Sequence, residues 1–251
     1  MKISEYIRCE WTRVKKQPPK QRWEYFWEYY KWPLIGVVLA IIVLIQGAIG
    51  LFSAKESVLS GVALNSRLGA KAEDFWDGYF DYVGMDSKKF DASVYTDINL
   101  ISGQNQNNAT SIQRIMAGIA IKDTDFIVGN PDAFRLCAYS TGGMLADLRD
   151  FLREEDLAKL VGRIYYIDRA VLDQINKPVG EQVEPELLQY PKEPLKPETM
   201  KDPVPVGINI SDNKAFTEGY YLPGTTVYWG IVPNTPRGEL TLQMLDYLTK
   251  S

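Results

Sequence analysis

The chain has 251 residues, 45% of them hydrophobic and 24% charged, with a formal net charge of −4. That length suits one or two domains, and the balance excludes both a disordered chain and a many-span membrane protein. There is no histidine, so Ser-His-Asp and Cys-His catalysis and the usual zinc sites are excluded.

The N-terminal stretch MKISEYIRCEWTRVKKQ sets Ile3, Tyr6, Ile7, Trp11 and Val14 at near-helical spacing, which predicts a short amphipathic helix. Pro18-Pro19 breaks it, and RWEYFWEYY reads as a second helix leading onward. Residues 1–32 therefore form a helical arm rich in aromatic and basic side chains.

From Trp32 to Ala54 no residue is charged, and Gln46 is the only strongly polar side chain between Leu34 and Phe52. A crossing of the ~30 Å hydrocarbon layer takes roughly 20 apolar residues. Buried helices of soluble proteins are usually amphipathic, whereas this segment is apolar all round. Residues 33–54 are thus predicted to be one transmembrane helix.

Residues 1–31 carry eight Lys/Arg against four Glu, a balance of +4 that leaves −8 for the remainder. Only Lys55 follows the apolar run closely. The positive-inside rule then places the N-terminus in the cytoplasm and residues 55–251 outside the cell membrane. Trp23, Trp27, Tyr30 and Trp32 are expected at the membrane interface, where an apolar ring with a polar tip is favoured. The rival reading is a signal peptide cleaved near Ala48-Ile49-Gly50. The long leader and long apolar core favour an uncleaved signal anchor. Cys9 and Cys137 flank the span, so they would lie in different compartments and could not pair.

The expected partner is the lipid bilayer, together with a membrane or envelope protein docked on the arm. The acidic outer part does not suit nucleic acid, whose phosphates need a basic surface.

Beyond Lys55, strands and helices alternate. SVLSGVALN, DASVYTDINL, TDFIVGN, VPVGINI and TVYWGIVP read as strands. One predicted helix carries Phe75, Trp76, Tyr79, Phe80 and Val83 on one face. A second carries Ile112, Ile115, Met116 and Ile119. Asn130 followed by Pro131 marks a helix start, and Gly142 its exit. RDFLREEDLAKLVG reads as a helix, and RIYYIDRAVLDQI as a strand with its extension. Residues 177–205 hold seven prolines and read as a loop with one helical turn near Glu186-Leu187-Leu188. A closing helix points Leu240, Met244, Leu245 and Leu248 inward. The pattern predicts an α/β domain over 55–251 with a mostly parallel central sheet.

Asp125-Phe126-Ile127-Val128-Gly129, then Gly143-Met144-Leu145-Ala146-Asp147-Leu148, resemble a stretch of bacterial extracellular solute-binding proteins. The ending VYWGIVPNTPRGELTLQMLDYL is similar to that family's final strand and helix. The resemblance implies a binding-protein-like fold, but members have two lobes, and only 197 residues follow Ala54 here. The chain reads as a one-lobe form. Its expected role is accessory, scaffolding or sensing in a cell-envelope complex. The second reading is a tethered binding protein that passes a small polar ligand to a transporter.

The loops after the strands nominate ligand-binding candidates, since open α/β sheets bind ligands at the carboxyl ends of their strands. They are Asn65, Arg67, Asp97, Asn99 and Asn130. Each is also an ordinary turn former or surface residue. Glu154-Glu155-Asp156 reads as an exposed helix start, Asp147 as a turn or cap, and Cys137 as core. No catalytic set, cofactor or metal site is expected.

Overall fold

The computed structural model describes residues 18–52, 55–101, 103, 105–178, 180–181, 183, 187–222 and 224–250, excluding the side chains of residues 19–26, 29–30, 47–52 and 105–107. The amphipathic helix expected over residues 1–17 lies outside them. The chain divides into two compact units, 1–54 and 55–251.

In the first unit, one helix, α1 (Pro19–Phe52), runs for 34 residues, about 51 Å at 1.5 Å per residue. It starts on Pro19, which suits a first helical position because proline has no N–H to leave unsatisfied. Pro33 lies within it. Trp27 and Trp32 are exposed, at 55% and 72%, whereas the side chains of Trp23 and Tyr30 lie outside the described ones. Among the described residues no helix is long and apolar enough to cross a membrane; the described side chains of the apolar stretch end at Gln46.

The second unit is an α/β layer structure. Its elements are β1 (Glu56–Ala63), α2 (Ala72–Val83), β2 (Phe90–Tyr95), α3 (Asn105–Ala120), β3 (Phe126–Gly129), α4 (Pro131–Ala138), α5 (Glu154–Lys159), β4 (Ile164–Asp168), α6 (Arg169–Ile175), β5 (Pro203–Asn209), α7 (Lys214–Gly219), β6 (Tyr228–Ile231) and α8 (Gly238–Lys250). The strands form one six-stranded sheet in the order β2-β1-β3-β6-β5-β4.

The expected α/β class holds, and the sheet is mixed. β1 pairs in parallel with β2 and β3, whereas β3–β6, β6–β5 and β5–β4 are antiparallel. The connections explain the change. A parallel pair needs a crossover over one face of the sheet, usually a helix. Between β4 and β5 the chain is α6 followed by the proline-rich stretch, and the latter runs along the outer edge of β4: the Tyr166 N–H donates to the Pro194 carbonyl at 2.8 Å. That contact also covers a strand edge that would otherwise be open. Between β5 and β6 the chain folds back through α7, and the Ile210 N–H meets the Val227 carbonyl at 2.9 Å.

Strand alternation sorts the core onto two faces. Leu59, Ala63, Phe126, Val128, Ile208, Trp229 and Ile231 pack toward α2, α7 and α8. Val62, Ile127, Val206, Tyr165 and Tyr228 face α3, α4 and α6. Two close approaches fix the strands. A Cβ on Gly61 would lie 2.3 Å from the Phe126 ring, and one on Gly207 would lie 2.5 Å from the Phe134 ring. These aromatic rings lie directly on strand backbone, where only glycine leaves room.

Three local expectations are corrected. The helix expected over 149–162 is a 3₁₀ turn, Leu148–Asp150, followed by the shorter α5, because Arg153 adopts an extended conformation between them. The extension of the strand at 163–175 is helix α6, started where the Asp168 carboxylate accepts the Ala170 N–H at 3.1 Å. The proline-rich loop ends earlier than expected, since β5 begins at Pro203, and it contains a 3₁₀ turn at Pro197–Thr199. Of the turn expected at Glu186-Leu187-Leu188, Glu186 falls outside the described residues.

Candidate functional site

The loops after β1, β2 and β3 do meet at one edge of the sheet. Asn65 follows β1 in a left-handed conformation, with φ of 52°. Its side chain clamps the loop after β2: Oδ1 accepts the Leu100 N–H at 2.8 Å, and Nδ2 donates to the Leu100 carbonyl at 2.8 Å. Nδ2 also approaches Oδ1 of Asn130 at 3.4 Å. Asn130 caps α4 by accepting the Ala133 N–H at 3.0 Å, as its position before Pro131 predicts. A further asparagine, Asn108, grips both the N–H and the carbonyl of Ile101.

The polar groups at this edge are therefore largely spent on one another. Asp97 is exposed and paired with Arg114 at 2.6 Å. Asn99 is exposed, and its carbonyl accepts the Ser111 hydroxyl at 3.1 Å. Arg67 is exposed on the loop after β1. The five candidates come from neighbouring loops. Two of them, Asn65 and Asn130, join into a structural clamp.

A concavity lies elsewhere, where the proline-rich stretch passes α6. It has a volume of about 640 Å³ and is lined by Asp168 and by residues of α6 and of positions 187–201. This is within the roughly 300–1,000 Å³ range of small-molecule sites.

Three ties hold its wall. The Tyr166–Pro194 hydrogen bond anchors the proline-rich stretch to β4. The ring of Tyr190 stands edge-on to Tyr139 with centroids 5.0 Å apart, and the Arg135 guanidinium lies 5.4 Å from its centre. Asp168 joins α6 to the approach to β5, accepting N–H groups from Lys201 at 2.9 Å and Asp202 at 3.1 Å. Its own N–H donates to the Tyr139 hydroxyl oxygen at 2.9 Å.

Burial alone would push the Asp168 carboxyl up. The N–H groups of Lys201, Asp202 and Ala170 outweigh it, so its pKa is lowered. A carboxylate with a depressed folded-state pKa stabilises the fold above its unfolded-state pKa, and that contribution is lost as pH falls through the folded value. Stability should therefore decline as pH drops below about 4, the ordinary aspartate value. In Asp168→Asn the same titration, followed by urea midpoints between pH 6 and 3, should be shallower. An equal slope in both proteins would remove Asp168 from the account.

A second cleft, of about 660 Å³, lies between α5 and α8. Its rim charges are paired: Asp156 with Arg153 and Lys159, Arg163 with Asp212, and Lys250 with Asp246. Cys137 is fully buried, and burial pushes its thiol up to about 12. Such a thiol is a core group rather than a nucleophile. Among the described residues, no three His, Cys, Asp or Glu side chains gather as a metal site would require.

Sequence reading passed over the cavity because its wall lies in the segment taken for a loop. The available signal was the spacing of Pro185, Pro191, Pro194 and Pro197, which stiffens a chain rather than freeing it.

Compared with known proteins, the chain matches no family model, no curated protein and no solved structure.

Proposed function

We propose that the chain is a single-pass membrane protein whose α/β unit lies outside the cell membrane as a non-enzymatic binding or scaffolding module of a cell-envelope complex. One observation carries the anchor. Leu34, Ile35, Val37, Val38, Leu39, Ile41, Ile42, Val43, Leu44 and Ile45 of α1 are each at least 43% exposed. These positions cover every side of a helix, so no single packed partner could bury them in water, whereas lipid surrounds a helix on all sides. The basic, aromatic flank before the span supports a cytoplasmic N-terminus.

The absence of histidine and the inert Cys137 support a non-catalytic role. The strand, helix and turn carrying Asp125–Leu148, and the final β6–α8 pair, support the likeness to solute-binding proteins. A fold likeness does not by itself assign function. The cavity beside α6 favours the second reading, a tethered module that takes up a small polar ligand.

Topology has a direct test. A reporter active only outside the cytoplasm, fused after Ser251, should be active, and Leu39→Arg with Val43→Arg should release the protein from the membrane fraction. A fusion active only in the cytoplasm would overturn the proposed orientation.

A further inference from the structure

The cavity beside α6 is lined by charges and amides that pair with no other group of the protein among the described residues. Among the described residues, the ammonium groups of Lys192 and Lys201 form no ion pair, and the side-chain amides of Gln174 and Gln189 form no hydrogen bond. All four line the cavity, with Tyr190 and Val171 as apolar surface. The acids beside them are already committed. Asp168 takes three backbone N–H groups, and Glu193 pairs with Lys196 at 2.7 Å. Lys201 acts on Asp168 at longer range, helping to lower its pKa, but neither lysine nor either amide is held in a direct contact, so two cations and two amides are free to meet an occupant. The α5–α8 cleft differs, because its rim charges are matched.

From this we infer that the cavity binds a small organic carboxylate that also bears amide or hydroxyl groups, the chemical class of acidic dipeptides and N-acylated acidic amino acids. The lysines neutralise the carboxylate. The glutamine amides, each both donor and acceptor, suit a ligand that has both. Tyr190 and Val171 cover its carbon skeleton. Phosphate fits less well. Phosphate sites commonly use backbone N–H groups, and those of Lys201 and Asp202 already serve Asp168. The ties through Pro194, Tyr190 and Asp168 preform the wall, which lowers the entropy cost of binding.

This assignment rests on reading residues 55–251 as a binding module, and it is independent of the membrane topology. The test uses the full chain in nanodiscs of zwitterionic lipid. Calorimetric titration is run with a panel of dicarboxylates and acidic dipeptides, N-acetyl-glutamate among them, against its uncharged diamide and inorganic phosphate. At least one carboxylate should bind saturably, at least tenfold more tightly than its amide, with affinity falling as salt rises. Lys192→Ala with Lys201→Ala should weaken that binding at least tenfold while the melting temperature without ligand stays unchanged. Gln174→Ala should weaken it on its own, and Arg67→Ala at the opposite edge should not. Binding by no carboxylate, binding by phosphate alone, or binding that survives the double lysine substitution would overturn the assignment. The reporter fusion separates such a failure from an error in topology.

Discussion

Replacing Asp125 by alanine should destabilise the α/β unit by about 3–5 kcal/mol, the cost of breaking a buried charge pair. Asp125 is fully buried, just before β3. Its carboxylate accepts the Ser60 N–H at 2.7 Å, the Thr235 hydroxyl at 2.6 Å and the Arg237 Nε–H, whose contact with Oδ2 is 2.8 Å. One side chain thus joins β1, β3 and the start of α8.

The two partners should not be equivalent. Arg237 is partly exposed and can rehydrate when Asp125 is lost, although the buried Ser60 N–H is then orphaned. Arg237→Ala instead strands a carboxylate with no counter-ion, so it should cost at least as much. In urea unfolding followed by circular dichroism, the double variant should lose less than the sum of the single losses, because the pair is coupled. Additive losses, or a loss below about 1 kcal/mol for Asp125→Ala, would remove the pair from the fold's main supports.

The second large effect is expected at Phe134. Its ring is fully buried between α4 and the sheet, 5.1 Å from Tyr165 and 5.6 Å from Tyr228 by centroids. Beneath it lie Gly207 and Gly230, where an added Cβ would come within 2.5 Å and 3.1 Å of the ring. Phe→Ala in a core costs about 3–5 kcal/mol, and more where the surroundings cannot collapse into the cavity. Glycine backbone in paired strands has no side chain to move inward, so Phe134→Ala should fall at the upper end. Phe134→Leu should recover more than half of the loss. A cost under about 2 kcal/mol for the alanine variant would mean that the site collapses after all.

The two sites also show which steps were legible in advance. Asn130 before Pro131 announces the start of α4, and the cap forms as expected. The face of α2 carrying Phe75, Trp76, Tyr79 and Phe80 is buried as its spacing requires. The acids Glu154, Glu155 and Asp156 occupy the first turn of α5, where the helix dipole favours them. Each of these signals operates within about one helical turn or a few strand positions, so the local sequence contains it.

Other features did not follow from local pattern. Asp168 looked like one more strand residue, yet its carboxylate starts α6 and also ties down residues 201 and 202. Asn65 and Asn130 looked like ligand donors. In the fold they are 3.4 Å apart and largely occupied by each other and by backbone.

Sequence by itself determined the apolar run and its basic flank, the alternation of strands and helices, the α/β class and the helix caps, because periodicity and capping are short-range properties. Only the tertiary structure decided the mixed sheet, the clamp at its carboxyl edge and the cavity beside α6. Asp125 and Arg237 lie 112 residues apart, and Tyr166 meets Pro194 from across α6 and the first part of the proline-rich stretch. Such partners become neighbours only when the chain closes on itself, and no local pattern records which distant group will take up a hydrogen bond or leave one unused.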